Sequence, residues 1–272
     1  MAGSGAPETP AGRLGRWALT AVAVVGFIYL FIPIAVIIAF SFNKPRGKFN
    51  IIWQEFTLDN WRDPLAPGPL TDAMGLSLQI AAIAALAATV LGTLIALALV
   101  RYRFRGGALV GLLLVLPLTT PEIVLGSSLA TLFIDRGVQR GFWTVVIAHV
   151  LFCTSFVALT IKARIRGFDW SLEDAAMDLG APPWRTFSRV TLPLITPGIL
   201  AAALLSFALS IDDFIITFFN AGSEDQTFPL YIFGASRVEI SPQINVLATM
   251  VLLVSVALML GGVLFRRRQD TV

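Results

Sequence analysis

The sequence predicts an all-α membrane protein with six transmembrane helices, and two observations lead to this fold class. Hydrophobic residues make up 56% of the 272 residues and charged residues only 14%, whereas soluble domains carry about 25% charged residues. The apolar residues are also gathered into six long runs, and about 20 apolar residues allow a helix to cross a bilayer. A soluble globular domain is therefore excluded.

Residues 13–268 are predicted to form one six-helix domain in which each apolar run is one span. The first run, Trp17–Phe42, is too long for the core of a signal peptide, so we expect it to be retained. Residues 1–12 are small and polar and are expected to form a disordered tail, while residues 269–272 form a short second tail. The other predicted spans are Met74–Val100, Ala108–Ile134, Phe142–Ile161, Leu194–Phe219 and Val246–Phe265.

The basic residues in the connections predict the orientation. Thirteen Lys and Arg residues lie on the side that carries both chain ends and the fourth connection, and seven lie on the other side. Cytoplasmic loops are enriched in Lys and Arg, so both termini are predicted to be cytoplasmic. The outer segment 43–73 contains the sequence FTLDNW and a Pro/Gly cluster, which predict a structured loop. The net charge of +3 is too small to indicate nucleic-acid binding.

The sequence carries no signature of an enzyme or of a cofactor site. Cys153 is the single cysteine and lies in an apolar run, which excludes an intrachain disulfide and a multi-cysteine metal site. His149 is the single histidine, and we expect it to hydrogen-bond to a neighbouring helix, with a proton relay as the alternative. No lysine ends a GxxxxGK[ST] loop, so the chain is not expected to bind a nucleotide in that way.

The polar segment 171–193, between the fourth and fifth spans, is predicted to be ordered. Ser171 is a suitable N-cap with Asp174 three residues later, so a helix should start at Leu172. Gly180 supplies a left-handed C-terminal residue, and the two prolines that follow limit the helix to about two turns. A second turn should start at the second of these prolines.

One face of this short helix is apolar and narrow. Four residues share that face at helical spacing, and two of them are alanines, which allows another surface to approach closely. This pattern favours a docking face for a partner, with an amphipathic helix lying on its own bundle as an equal alternative. The four residues are Leu172, Ala175, Ala176 and Leu179.

Three carboxylates fall inside predicted spans, where they are costly and therefore candidates for function. Asp213 shares one face of the fifth span with other polar residues, and this stripe is expected to face a polar path. Asp212 points away from the stripe and is the better candidate for a structural bond to another helix. The stripe consists of Ser206, Ser210, Asp213, Thr217 and Asn220.

The third carboxylate, Glu122, follows a predicted break in the third span. Pro117 and Pro121 interrupt the helix, and Thr120 is the expected cap of a new helix with Pro121 at its first position. Glu122 would then lie at the positive end of a half-helix. Stabilisation of that helix end and a role in a transport pathway are equal alternatives for Glu122, because broken helices also carry the sites of transporters.

Segment 171–193 resembles the Glu-Ala-Ala loop of the permease subunits of binding-protein-dependent ABC importers. The spacing is the same over twenty residues, although an aspartate replaces the usual glutamate and a valine replaces an isoleucine. The matching positions are Asp174, Ala175, Ala176, Gly180, Val190, Leu192 and Pro193.

This resemblance implies an importer-type ABC transmembrane domain. In that family the loop, here 166–193, forms a coupling helix that inserts into a groove of a cytoplasmic ATPase subunit. The residues implied to couple to the ATPase are Glu173, Asp174, Ala175, Ala176, Gly180, Leu192 and Pro193.

Three further stretches, Ser77–Arg101, Pro117–Gly126 and Ser210–Phe219, resemble the smaller-subunit type of the spermidine/putrescine (polyamine) branch. The resemblance implies a bacterial inner (plasma) membrane location and a heterodimer with a second permease. It also implies two cytoplasmic ATPase subunits, which bind ATP and Mg²⁺, and an extracytoplasmic binding protein. Iron, thiamine or a sugar stay open as substrates, and an ion-coupled secondary transporter or a non-transporting scaffold stay open as functions.

The translocation path is expected to carry negative charge in the outer half of the membrane. Asp213 and Glu122 lie roughly 30 and 22 Å from the inner surface if each residue adds about 1.5 Å. Such carboxylates suit a cationic substrate. The residues expected to line the path are Asp213, Glu122, Ser210, Thr217 and Asp212.

Overall fold

The structure is a computed structural model that describes residues 10–66 and 68–269, with side chains from Gly15 to Ala66 and from Gly68 to Ala257. Within these ranges the chain is helical, and pairing between extended segments is limited to two isolated bridges. The helices are α1 (Pro10–Phe40), α2 (Pro69–Arg101), α3 (Gly107–Thr119), α4 (Glu122–Asp135), α5 (Phe142–Ile165), α6 (Ser171–Asp178), α7 (Pro183–Thr186), α8 (Leu192–Ile211), α9 (Ile215–Asn220), α10 (Phe228–Ala235) and α11 (Pro242–Gln269).

The long helices confirm the all-α membrane fold class. In the described ranges, four helices are long and apolar enough to cross a membrane, and α3 and α4 together form a fifth candidate that is bent by 109°. α11 contributes the shorter apolar stretch Pro242–Ala257. The count of six spans stays a prediction. The four straight candidates are Gly15–Phe40, Pro69–Arg101, Phe142–Ile165 and Pro183–Ile211.

The described residues divide into two compact units, and the single domain predicted over 13–268 stays a prediction. One unit consists of the described residues up to Ala66 and from Ala235 onward, and the other of the described residues between them. α1 begins at Pro10, so the last three residues of the predicted N-terminal tail are helical, and residues 1–9 lie outside the described residues. At the other end Gln269 closes α11, and the rest of the predicted tail is likewise outside them.

The first unit pairs α1 with α11 and contains residues 43–66 of the predicted structured loop. Asn43 is fully buried there, and its amide Nδ2 donates to Asn50 Oδ1 at 2.7 Å and to the Ile52 carbonyl at 3.0 Å. Asn43 Oδ1 in turn accepts a hydrogen bond from the Gln54 amide at 2.8 Å. Buried amide groups that are satisfied in this way fix one loop conformation, so the prediction of an ordered loop is confirmed for the described residues.

Three helices, α2, α5 and α8, pack together as the core of the second unit. Gly92 of α2 allows α5 to approach closely, because a Cβ at Gly92 would lie 2.6 Å from Val157 Cγ1 and 2.9 Å from the Ala158 amide nitrogen. Small residues at helix interfaces let backbones approach in this way. The buried small residues of α2 are Ala73, Ser77, Ala81, Ala84, Ala85, Ala88, Gly92 and Ala96.

The third predicted span breaks where the prolines indicated, but the capping prediction is wrong. Thr120 ends α3 in an extended conformation, as a residue before proline must. Its hydroxyl donates to the Leu116 carbonyl at 2.7 Å, so it serves α3 and does not cap α4. Pro121 occupies the cap position of α4, and Glu122 is the first helical residue.

The fifth predicted span differs at both ends. A continuous helix of 29 residues runs from Pro183 to Ile211, so the predicted turn at Pro183 belongs to the span itself. Its residues Phe187–Thr191 form a π-helical turn, a feature that is frequent at functional sites. The helix stops at Ile211 and restarts as α9, so the expectation of one continuous helix to Phe219 is wrong.

Candidate functional site

The polar loop after α5 ends its helix as predicted. Gly180 has a φ of +86°, which is the left-handed region. Its amide donates to the Met177 carbonyl at 2.8 Å, and the Ala181 amide donates to the Ala176 carbonyl at 3.0 Å. This pair of bonds is the Schellman motif. The two turns expected before Gly180 are present as the eight residues of α6.

The start of α6 differs from the prediction. Trp170 occupies the cap position and Ser171 is already helical, so the assignment of Ser171 as N-cap is wrong. Asp169 Oδ1 accepts the Ser171 amide at 3.0 Å and takes over the role of the cap. Hydrogen bonds from the hydroxyl and the amide of Ser171 lower the pKa of Asp169 below its usual value.

The apolar face of α6 is uncovered in the described part of the chain. Leu172 is 45% exposed and Leu179 is 90% exposed, and Ala175 between them is exposed too. A helix lying on its own bundle would bury these side chains. The open face therefore favours the docking interpretation over the amphipathic alternative. Asp174 is exposed on the same helix.

Glu173 lies on the inner side of α6 and is only 3% exposed. One carboxylate oxygen accepts a hydrogen bond from Arg101 Nη1, and the other accepts one from the Thr191 hydroxyl. The Arg101 guanidinium also lies 5.4 Å from the centre of the Trp170 ring. The role of Glu173 in coupling to an ATPase stays a prediction, and its carboxylate is bonded within the chain.

These bonds join α6 to two core helices. Arg101 is the last residue of α2, and Thr191 ends the π-helical turn at the foot of the 29-residue helix. A cleft of about 350 Å³ lies beside the junction, and Tyr102 and Trp184 are exposed at its wall. The Glu173 carboxylate therefore connects α6 to the end of α2 and to the helix that leads to Asp212.

A second polar cluster surrounds His149 of α5, which is 2% exposed. Nδ1 lies 2.7 Å from Ser210 Oγ, and Nε2 lies 2.9 Å from Thr217 Oγ1 and 3.2 Å from Asp213 Oδ2. The prediction that His149 hydrogen-bonds to a neighbouring helix is confirmed. Both ring nitrogens are occupied by these contacts.

The two neighbouring aspartates have the opposite placement from the one expected. Asp213 is buried against His149 and makes the structural bond that we assigned to Asp212, while Asp212 is exposed. The reason is the helix break: Asp213 turns inward to accept the Thr217 amide at 2.8 Å, and the continuous-helix stripe no longer applies.

The other stripe residues are also used in packing. Ser206, Ser210 and Thr217 are buried. The Asn220 side-chain amide donates to the Gly126 carbonyl of α4 at 3.1 Å, and the Asn220 backbone carbonyl accepts the Thr144 hydroxyl of α5 at 2.7 Å. The stripe therefore binds α9 to its neighbours in this conformation, and its place along a translocation path stays a prediction.

Glu122 is exposed at the first position of α4. The predicted placement at the start of a half-helix is therefore confirmed. Leu192 and Pro193 are exposed at the foot of α8. Among the carboxylates within the predicted spans, Glu122 and Asp212 are the exposed ones, and each lies at a helix break.

Sequence reasoning missed the partners of both clusters. The pairing of His149 with Asp213 had a usable signal, because ionisable groups inside a membrane tend to pair and the chain holds a single histidine. The bonds of Arg101 and Thr191 to Glu173 had none, since 72 and 18 residues separate these partners along the chain.

Comparison with known proteins agrees with this architecture. Residues 88–271 match the family described as binding-protein-dependent transport system inner membrane component. The chain is 40% identical over 238 residues to the putrescine transport system permease protein PotI of Escherichia coli (strain K12), covering 85% of this chain and 84% of PotI. It is 38% identical over 257 residues to the spermidine/putrescine transport system permease protein PotC of the same strain, covering 94% and 95%.

A solved structure has the same fold. The crystal structure of a bacterial ABC transporter involved in the import of the acidic polysaccharide alginate superposes with a TM-score of 0.71 at 13% identity, covering 94% of this chain and 98% of that chain. The identity is low, so this likeness concerns the fold alone. The family match and the two relatives each extend over most of the chain. The chain therefore belongs to the family of binding-protein-dependent transport system inner membrane components, as a multi-pass transport subunit and not an enzyme.

Proposed function

We propose that this chain is one permease subunit of an ATP-driven polyamine importer and forms half of its translocation path. The observation that carries the ATP-driven part is the open apolar face of α6, which ends in the Schellman motif at Gly180. An ion-coupled transporter would have no use for such a face on its cytoplasmic side. The likeness to PotI and PotC supports putrescine or spermidine as the substrate.

The charge in the predicted spans fits that substrate class. Glu122 and Asp212 are exposed carboxylates, and polyamines are cations that carry an ammonium group at each end. Carboxylates in a site of low dielectric attract such a substrate and repel an anion. A neutral sugar would gain nothing from these charges.

The proposed complex contains a second permease subunit, two ATPase subunits and an extracytoplasmic binding protein. ATP and Mg²⁺ belong to the ATPase subunits. In this arrangement Asp174, Ala175, Ala176 and Gly180 belong to the surface that enters the ATPase groove, and Leu192 and Pro193 lie at the foot of α8. Glu173 supports that surface from the inner side of α6, because it bonds to Arg101 at the end of α2 and to Thr191 in the π-helical turn that precedes α8.

Reconstitution tests this proposal. The complete complex in proteoliposomes should take up radiolabelled putrescine or spermidine only with ATP inside and with the binding protein outside. Uptake driven by an ion gradient without the ATPase would contradict the importer assignment. ATP-dependent uptake of iron, thiamine or a sugar in place of a polyamine would contradict the substrate.

A matched pair of variants tests the docking face. Ala175→Lys places a charge on the exposed face of α6, while Ala163→Lys places it on an exposed alanine near the cytoplasmic end of α5. Ala175→Lys should abolish retention of the ATPase on the purified permease, and Ala163→Lys should leave it unchanged. Equal retention in the two variants would contradict the role of the face.

A further inference from the structure

We infer that Asp212 is the carboxylate with which this chain contacts its cationic substrate, and that His149 is the positioning residue that presents it. The inference rests on the proposed function for the nature of the substrate. Its geometric part rests on the structure of the second unit alone. In that part, a cluster of buried side chains holds a helix break and turns one carboxylate outward.

The break between α8 and α9 is built from side chains. The sequence around it, SIDDFII, contains neither proline nor glycine, the usual causes of a broken helix. Instead, the Asp213 carboxylate accepts the Thr217 amide and hydroxyl, each at 2.8 Å, and the Ile216 amide at 3.4 Å. Asp213 thereby caps α9. Aspartate side chains accept hydrogen bonds from nearby backbone amides, and these bonds can replace those of a continuing helix.

His149 holds both sides of the break. Ser210 lies in the last turn of α8 and Thr217 lies in α9, and the imidazole contacts both while it also contacts Asp213. All four side chains are buried. One rigid ring therefore sets the spacing of the two helix ends, and we name this group of His149, Ser210, Asp213 and Thr217 the staple.

The staple determines where Asp212 points. Asp213 is committed inward, so the preceding residue in the unwound segment is turned outward, and Asp212 is exposed. A charged side chain directed into lipid hydrocarbon is strongly disfavoured. The exposed carboxylate must therefore face water or a polar surface, and a water-filled path is the environment that a transport subunit supplies. Unwound segments between half-helices are also where transporters bind substrates.

A second exposed carboxylate belongs to the helix that touches α9. A Cβ at Gly126 of α4 would lie 3.2 Å from the Ile216 Cα, so the two backbones are in close contact there. Glu122 precedes Gly126 by about one helical turn of α4, and Asp212 precedes Ile216 by four residues across the unwound segment. Two neighbouring helix breaks thus each carry an outward carboxylate, which matches a substrate that has ammonium groups at both ends.

Thiol labelling tests the geometric part without any substrate. In a Cys153→Ala background, Asp212→Cys and, as a buried control from α9, Ile216→Cys are treated in the assembled complex with the cationic, membrane-impermeant reagent MTSET. Asp212→Cys should react at least tenfold faster than Ile216→Cys. Equal rates, or faster reaction of the control, would overturn the outward placement of Asp212.

Variants of His149 test the staple. His149→Leu should reduce the labelling rate of Asp212→Cys at least fivefold or remove its advantage over the control, and His149→Gln, which retains an amide donor and acceptor, should restore part of it. If His149→Leu does not assemble, His149→Gln alone carries the test, with an intermediate labelling rate expected. Labelling of Asp212→Cys that is unchanged in the His149 variant tested would overturn the positioning role.

Substrate protection tests the contact itself. Saturating spermidine should slow labelling of Asp212→Cys, and Asp212→Asn should raise the KM for spermidine uptake about tenfold at equal complex abundance. Asp213→Asn should mainly lower the amount of assembled complex. Absence of protection in a complex that transports spermidine would overturn the role of Asp212, whereas absence of spermidine transport by the unmodified complex would overturn the proposed function and leave the labelling result standing.

Discussion

At the scale of single residues, the left-handed backbone conformation of Gly180 ends α6. Its φ is +86°, and outside Gly180 and its two chain neighbours no atom lies within 4 Å of the position that a Cβ would take. Any cost of a side chain therefore comes from the backbone conformation and not from a clash. A left-handed conformation costs a residue with a Cβ roughly 1–2 kcal/mol.

We predict that Gly180→Ala weakens association with the ATPase by about fivefold to thirtyfold, which corresponds to roughly 1–2 kcal/mol. Gly180→Asn should have a smaller effect, because asparagine tolerates this conformation better than alanine does. Gly167→Ala is the matched control, since Gly167 lies in the same loop, has equal space and has no positive φ. Titration of the reconstituted permease with the ATPase measures the effect, and equal affinities for the Gly180→Ala and Gly167→Ala variants would contradict the capping argument.

Neighbouring acidic residues show where prediction from sequence stops. Both pairs, Glu173 with Asp174 and Asp212 with Asp213, contain one buried and one exposed side chain. Adjacent residues on a helix differ by about 100° in direction, so the assignment depends on where the helix starts and stops. Partners that are distant in the chain, such as Arg101 for Glu173, decide this, and the local pattern does not contain them.

At the scale of elements, the two helix breaks differ in how far they could be predicted. Proline at position 121 removes a backbone donor and restrains Thr120, so the break there followed from covalent geometry. The break at Asp212 depends on hydrogen bonds that the Asp213 carboxylate accepts from its own chain and on a histidine 64 residues before Asp213. Hydropathy alone predicts one continuous span over Leu194–Phe219, because it contains no information about these contacts.

The packing of α2 against α5 leads to a prediction about Gly92. A methyl group there would meet Val157 and the backbone of Ala158 at less than 3 Å, and overpacking of this kind costs typically about 1–3 kcal/mol. Gly92→Ala should therefore lower the thermal midpoint of the purified protein and its yield.

Gly111→Ala serves as the control, because Gly111 lies within α3 and no atom lies within 4 Å of the place its Cβ would occupy. Alanine there should be neutral or should stabilise the helix by up to about 1 kcal/mol. Gly92→Ala combined with Val157→Ala should recover part of the loss, and the unchanged Ala158 amide should prevent full recovery. A stabilising effect of Gly92→Ala would contradict the close packing of these helices.

At the scale of the whole molecule, the apolar surface of α1 agrees with a membrane location. None of the most apolar window of Gly15–Phe40 is buried within the chain, and its mean hydropathy is 2.8. Contiguous apolar surface of this extent requires lipid or another protein. Composition and hydropathy were sufficient to predict this environment, because both are sums over many residues and do not depend on any single contact.

Orientation in the membrane is the property of the whole chain that the distribution of charge predicts. Lys and Arg are more frequent on the predicted side that carries α6 and both chain ends, which predicts that these parts are cytoplasmic. In a Cys153→Ala background, Asp63→Cys in the outer loop and Asp178→Cys at the end of α6 both put a thiol at an exposed position. A membrane-impermeant maleimide should label Asp63→Cys in intact cells and label Asp178→Cys only after permeabilisation. Since both positions are exposed, a difference between them reports the side of the membrane and not burial, and the reverse pattern would place α6 outside, where no ATPase could reach it.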